Sequence, residues 1–321
     1  MDLPVSAAVK LIPLTIRGSD RNFFRVKWGF DKTAILINFD PNRSENNYYA
    51  DIAIFLDSIH VPVPRVISHD PAECLMIFED MGDTDLWSLK DSPGEVRLDF
   101  YRKTLSIAYR LHSFPENQFP REKVRIMDSF DQNLYYWEQE YFKEHFVENV
   151  CGINIRTSLM KEIKTELSNL VCRLLQSGNS LIHRDLQSRN VMIFNEKPFL
   201  IDFQGMRFGN PLYDVASLLC DPYVHFSEEE IDCLLSYYYG LSDKELDWDS
   251  YKNVFLDASV QRLMQALGAY GFLGLKKGIK EFLEYIPPGL AKLQRAVFNT
   301  KKMTGLCELI LFCCKAVERK E

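Results

Sequence analysis

Two carboxylates and one amide stand at spacings that could hold a phosphoryl donor against an acceptor hydroxyl. The first stretch is Leu181-Ile182-His183-Arg184-Asp185-Leu186-Gln187-Ser188-Arg189-Asn190, an H-R-D-x-x-x-x-N arrangement. The second, Leu200-Ile201-Asp202-Phe203-Gln204-Gly205, puts an aspartate twelve residues beyond Asn190. Phosphoryl transfer from ATP is chiefly positioning and charge neutralisation. One carboxylate orients the attacking hydroxyl and accepts its proton. A second carboxylate and an amide oxygen hold Mg²⁺ against the phosphate oxygens. The spacing therefore assigns Asp185 as base, and Asn190 and Asp202 as magnesium ligands. His183 and Asp214 read as supports of this loop through hydrogen bonds, and His112 as structural.

The elements that must position these groups fall into two sets. Leu181-Ile182, Val191–Phe194 and Phe199–Phe203 are short apolar runs around polar loops, the pattern of strands that deliver the loop residues to one point. Towards the N-terminus, Leu14–Arg17, Phe23–Trp28, Thr33–Phe39, Val66–Ser68 and Cys74–Phe78 also read as strands, separated by turn-like segments. One helix is expected among them, with Ser44 as N-cap and Tyr48, Ile52, Phe55, Leu56 and Ile59 at helical spacing. Beyond the acidic joint Glu79-Asp80-Met81-Gly82-Asp83 the pattern turns helical, over Glu95–His112, Phe130–His145 and Leu159–Gln176, and again from residue 211 to the end. The expectation is an α+β, two-lobed fold. A small antiparallel β lobe covers 1–81, and a larger, mainly helical lobe covers 82–321.

Composition narrows the function. The chain has 321 residues, 46% of them hydrophobic, with a net charge of −7. That is globular, and large enough to bury a core without disulfide or metal staples. The acidic balance argues against a nucleic-acid or anionic-membrane partner. No segment approaches the roughly 18 apolar residues of a membrane span, and the first residues lack a basic leader. A cytoplasmic location is expected, with the eight irregularly spaced cysteines as reduced thiols.

These motifs resemble the kinase-like superfamily of aminoglycoside phosphotransferases and choline kinases. Ile201-Asp202-Phe203-Gln204 with Gly209-Asn210-Pro211-Leu212-Tyr213-Asp214-Val215-Ala216-Ser217-Leu218-Leu219, and the later Gln261-Arg262…Leu267-Gly268, resemble a narrower group. That group comprises bacterial kinases of the anomeric hydroxyl of N-acetylmuramate and N-acetylglucosamine. The resemblance implies the two-lobed protein-kinase-like fold, ATP and Mg²⁺ as cofactors, and a small-molecule acceptor, most simply an amino sugar. It does not fix the oligomeric state. A protein kinase is not expected, because Gln204 displaces the glycine of a DFG motif and no A-P-E follows.

Two departures matter. The phosphate-covering turn is Gly18-Ser19-Asp20-Arg21-Asn22, not a full G-x-G-x-x-G, though backbone N–H groups in a turn also cradle phosphate. The strand Ala34–Phe39 lacks the nucleotide-binding lysine. Arg21 or Arg25 is the expected substitute, because a guanidinium also binds phosphate, with Glu45 as a helix carboxylate partner. Gly18, Ser19, Arg21, Arg25, Glu79 and Met81 are thus the nucleotide-binding candidates. Gln204, Arg207, Gln261 and Arg262 are the acceptor-binding candidates. A polycationic aminoglycoside would instead need carboxylates, and several stand between Glu228 and Asp257, although Ser227 followed by Glu228-Glu229-Glu230 reads as a helix start. An aminoglycoside, choline-like or other small-alcohol kinase is the alternative. A catalytically silent nucleotide-binding module is a third reading, supported by the missing lysine alone.

Overall fold

The computed structural model describes residues 9–14, 21–242 and 245–319. Gly18 and Ser19 lie outside them, as does most of the expected strand Leu14–Arg17. The first three strands are β1 (Lys10–Leu14), β2 (Asn22–Trp28) and β3 (Lys32–Asn38). Gly29, at φ 61°, makes the tight β2–β3 turn that a side chain would strain. Helix α1 (Ser44–Ser58) follows, then the hairpin β4 (Val66–Asp70) and β5 (Leu75–Glu79). The five strands form one antiparallel sheet in the order β1-β2-β3-β5-β4. Ser44 does not cap α1: Arg43 holds the extended capping backbone, and Ser44 is already the first helical residue.

The remainder is mainly helical. Helix α2 spans Gly94–His112, and α3 spans Gln132–Phe142 and runs on as a π-helical turn, Lys143–Glu148. Helix α4 (Thr157–Gln176) leads to β6 (Ser180–Ile182), β7 (Val191–Phe194), β8 (Lys197–Leu200) and β9 (Arg207–Gly209). Then come α5 (Pro211–Leu219), α6 (Glu228–Leu241), α7 (Trp248–Gly271), α8 (Ile286–Thr300) and α9 (Thr304–Glu318). The architecture is α+β: an antiparallel N-terminal sheet beside a helical C-terminal region. No helix among the described residues is long and apolar enough to cross a membrane.

Two hairpin-like pairs, β6 with β9 and β7 with β8, hold the loops that carry the motif residues. The strand expected over Phe199–Phe203 stops at Leu200, because Asp202 adopts a left-handed backbone at φ 63° and starts a 3₁₀ turn, Phe203–Gly205. Helix α7 is buried along most of its length and crosses α3 at close range. A Cβ on Gly268 would lie 2.8 Å from the Tyr141 ring and 3.1 Å from the Phe142 backbone. Only glycine lets these two backbones approach so closely, and the approach sets Gln261 and Arg262 against α3.

Candidate active site

The loop between β6 and β7 is tied down by buried polar bonds. Asp214 on α5 is fully buried and accepts from three donors: the His183 amide at 2.6 Å, the Arg184 amide at 2.8 Å and His112 Nε2 at 3.0 Å. His183 Nε2–H donates to the Ile201 carbonyl at 2.9 Å, and its Nδ1 accepts from the Asp185 amide at 3.3 Å. That pairing selects the Nε2–H tautomer and ties the loop to the segment that carries Asp202. Asp221 accepts the Ser188 amide at 2.8 Å and its hydroxyl at 2.6 Å. Sequence reasoning missed Asp221, which has no motif around it. Arg184 sits at φ 76°, a conformation unfavourable for a side-chain-bearing residue and held by these bonds.

Asp185 itself is gripped from α7. Arg262 Nη2 donates to Asp185 Oδ1 at 2.7 Å, its Nε to Ser217 Oγ at 3.0 Å and its Nη1 to Gln265 Oε1 at 2.5 Å. Burial alone would raise the Asp185 carboxyl, but the charges of Arg262 and Arg184 hold it below the usual carboxylate range. It is therefore ionised at neutral pH, the form a proton acceptor needs. Asn190 Nδ2 donates to the Asp185 carbonyl at 2.9 Å, which leaves the amide oxygen as a metal donor. Its neighbour Arg189 is not in this cluster: its guanidinium lies 3.8 Å from the centre of the Trp87 ring.

Asp202 is met by the N-terminal sheet. Arg21, at the foot of β2, pairs with the Asp202 carboxylate, and its guanidinium lies over the rings of Phe23 and Tyr49, 5.3 and 5.1 Å from their centres. Burial would lower the Arg21 guanidinium, but the charge of Asp202, aided by that of Glu45, raises it. Tyr49 of α1 accepts the Asp202 amide at 3.2 Å and stacks on Phe203 at 4.4 Å. Gln204, with its amide nitrogen facing Asp202, donates to that residue's carbonyl and Oδ1, each at 3.2 Å. It supports Asp202 rather than opening toward an acceptor. Arg25 is elsewhere. It bonds Asp80 at 2.6 and 3.0 Å, Asp83 at 2.8 and 3.1 Å and the Gly82 carbonyl at 3.1 Å. Those partners absorb the guanidinium, so Arg25 braces β2 against the joint. Glu79 ends β5 and donates its amide to the Arg65 carbonyl at 2.9 Å; Met81 is buried at the joint.

The acceptor candidates divide. Arg262 reaches Asp185. Gln261 does not reach a cleft: it is fully buried, donates to Glu138 Oε2 at 3.1 Å and to the Tyr135 carbonyl at 3.2 Å, and accepts from Gln139 at 3.0 Å. Arg207 lies directly across from Ile182 in the β6–β9 pair, donates from Nε to the Gly205 carbonyl at 2.9 Å, and sits 5.4 Å from the centre of the Phe130 ring. Glu138 of α3 was also missed by the sequence reading. It is fully buried, accepts the Tyr213 hydroxyl at 3.0 and 3.1 Å, and lies 3.6 Å from Arg184. On α3 it reads as one more polar residue; only the crossing with α7 makes it a core group.

A buried aspartate-anchored loop carrying an ionised carboxylate, with a second carboxylate after a short hairpin, supplies the groups that phosphoryl transfer calls for. The model of the family described as "Phosphotransferase enzyme family" (APH) matches residues 10–252. The chain belongs to the phosphotransferase enzyme family. Two similar relatives are N-acetylmuramate/N-acetylglucosamine kinases. The Pseudomonas aeruginosa protein is 22% identical over 94% of this chain and 88% of its own length. The Neisseria meningitidis serogroup B protein is 24% identical over 93% and 90%. Among solved structures, a Plasmodium vivax ethanolamine kinase superposes with TM-score 0.63 at 18% identity, covering 91% of this chain and 82% of the other. An ADP-bound aminoglycoside phosphotransferase, APH(2'')-Ib, gives TM-score 0.60 at 14% identity, covering 90% and 95%. The kinase-like fold is thus shared with this phosphotransferase, and the chain is an enzyme of phosphoryl transfer.

Proposed function

We propose that this phosphotransferase transfers the terminal phosphoryl group of ATP to the anomeric hydroxyl of an N-acetylated amino sugar. The observation that carries the reaction type is the convergence of Asp185, Asn190 and Asp202, tied together by the Asn190–Asp185 bond and by His183 on Ile201. Asp185 Oδ accepts the proton of the acceptor hydroxyl. The Asn190 amide oxygen and the Asp202 carboxylate are hard oxygen donors. They suit Mg²⁺, which takes few protein ligands and completes its shell with phosphate and water. When bound, that ion neutralises charge on the phosphate oxygens. Arg21 adds positive charge beside Asp202, where residues 33–38 of β3 offer no lysine. Residues 1–81 are read as the nucleotide lobe, with Glu79 and Met81 among its contacts, and 82–321 as the catalytic and acceptor lobe; Gly18 and Ser19, the turn candidates from the sequence, lie outside the described residues.

The amino-sugar reading rests on the two kinase relatives and on what the acidic residues are doing. Glu230 closes a capping box with Ser227 and pairs with Arg97. Asp247 caps α7, and Asp257 takes a two-pronged bond from Arg173 at 2.6 and 2.8 Å. These carboxylates are engaged by the fold, which disfavours a polycationic guest. The test is phosphorus NMR of the product from ATP with N-acetylglucosamine or N-acetylmuramate. An acid-labile 1-phosphate is expected, with weak or no turnover of kanamycin. A phosphate on another hydroxyl, or efficient phosphorylation of the polycation alone, overturns the sugar reading and leaves the phosphotransferase in place.

A further inference from the structure

Three guanidiniums, those of Arg184, Arg207 and Arg262, converge beside the base against two carboxylates, Asp185 and Glu138. They are not equally satisfied. Arg262 is held by Ser217, Gln265 and Asp185. Arg184 has no side-chain hydrogen bond among the described residues; its nearest carboxylate, Glu138, is at 3.6 Å and is already shared by Tyr213 and Gln261. Arg207 is only 8% exposed, yet it spends one donor, Nε, on the Gly205 carbonyl and faces no carboxylate in hydrogen-bond range among the described residues. A guanidinium carries five donors in a fork that fits a carboxylate or phosphate. Burying one without a counter-ion is unfavourable. Burial, reinforced by the charge of Arg184, lowers the Arg207 guanidinium to about 10.

Both underused forks flank Gly205. Arg207 bonds its carbonyl, and a Cβ placed on Gly205 would lie 3.5 Å from Arg184 Cδ. Arg184 precedes the base in the chain, and a quarter of its side chain is open to solvent. Next to the group that takes the acceptor proton, this arginine pair thus shares one carboxylate, Glu138, that only Arg184 approaches, and keeps donors to spare for a second anion. We infer that Arg184 and Arg207 form an oxyanion-binding subsite for the acceptor, so that the preferred acceptor bears a carboxylate or a phosphate ester besides the hydroxyl that Asp185 addresses. The inference deepens the amino-sugar reading and rests on it for the ring. The subsite itself is a property of this chain's arginines.

The experiment compares three acceptors on one ring system: N-acetylglucosamine, which is neutral, N-acetylmuramate, which adds a carboxylate, and N-acetylglucosamine 6-phosphate. In the native enzyme, kcat/KM is expected to favour at least one of the anionic sugars over the neutral one by tenfold or more. In Arg207→Gln that ratio should fall by about tenfold; Arg207→Lys, which keeps the charge and loses the fork, should fall between. Which anion leads identifies the oxyanion. An unchanged ratio in Arg207→Gln, or a native preference for the neutral sugar, overturns the subsite. If none of the three is phosphorylated, the sugar reading fails by itself. The subsite is then judged by the Cζ resonance of Arg207, assigned by its loss in Arg207→Gln, during titration with lactate and with inorganic phosphate at constant ionic strength. A saturable shift with either supports it, and no shift with both overturns it.

Discussion

Two arginine–carboxylate pairs occupy the site, and they are built differently. In each, the arginine side chain is 5% exposed and the carboxylate 32%. Arg262 holds Asp185 from within the helical lobe, and its remaining donors are fixed by Ser217 and Gln265. Arg21 holds Asp202 from across the joint, just before the start of β2 in the five-stranded sheet, with aromatic faces around it. The first pair is part of the floor, with both members and their supports within the helical region. The second joins roof to floor and depends on how the two meet. The lesson is that Asp185, the proposed base, is preorganised within the helical region, whereas Asp202, the proposed cation ligand, is held by a residue of the N-terminal sheet.

Removing the carboxylate of the floor pair should have the largest effect. Asp185→Asn is expected to lower kcat by roughly 10²–10⁴-fold, the usual worth of a general base, while the dissociation constant for nucleotide, read by calorimetry, changes little. Full turnover would show that the floor only binds. Next comes its partner. Arg262→Gln should lower kcat by about tenfold at neutral pH and move the acidic limb of the pH–kcat profile upward. The sign follows from the pair: the folded carboxyl is held below its ordinary value, so losing the arginine lets it protonate at higher pH. The same depressed carboxyl favours the folded state above the ordinary aspartate range, and that contribution fades as pH falls through the folded value.

The roof pair should respond in KM instead. Arg21→Ala is expected to raise the KM for ATP by about tenfold with a smaller change in the acceptor KM, the loss of a charge-assisted contact of about 1–2 kcal/mol. Equal changes in both constants would dissolve the distinction between roof and floor. Arg25→Ala, which removes the brace on Asp80 and Asp83 rather than a phosphate contact, should change the ATP KM by only about twofold. His112→Phe tests the foundation of the floor. It removes one of three donors to Asp214 and strands the Tyr238 hydroxyl, bonded at 2.6 Å. The expected cost is about 1–3 kcal/mol of stability in denaturant unfolding, with little change in KM.

Legibility followed the same divide. The N-terminal strands β2 and β3 and the β4–β5 hairpin could be read from runs of β-branched and aromatic residues between turn signals, and helices α2 and α4 from apolar residues at helical spacing, which the structure buries on one face. The loop from His183 to Asn190 stood out because its residue types are rare at that spacing, and the structure ties it to the segment carrying Asp202. What escaped lies where long-range packing decides. β9 is three residues long and exists through β6. The strand beyond β8 ends because Asp202 turns left-handed. Gln261 looked like a cleft residue, yet the glycine crossing of α7 over α3 buries it on Glu138. Arg25 looked equivalent to Arg21, and only the sheet register separates their reach: Asn22 at the foot of β2 pairs with Asn38, whereas Arg25 pairs with Ile35 nearer the joint.

The short run between Asp202 and α5 has a further consequence. Phe203–Asn210 is taken up by one 3₁₀ turn and β9, and its backbone is pinned from outside by Met127 on Met206 at 3.0 Å and Phe130 on Phe208 at 2.8 Å. It contains no serine, threonine or tyrosine. It has neither the slack to swing over the cleft nor a hydroxyl through which a modifying enzyme could command it. Such a catalyst has no brake in this stretch.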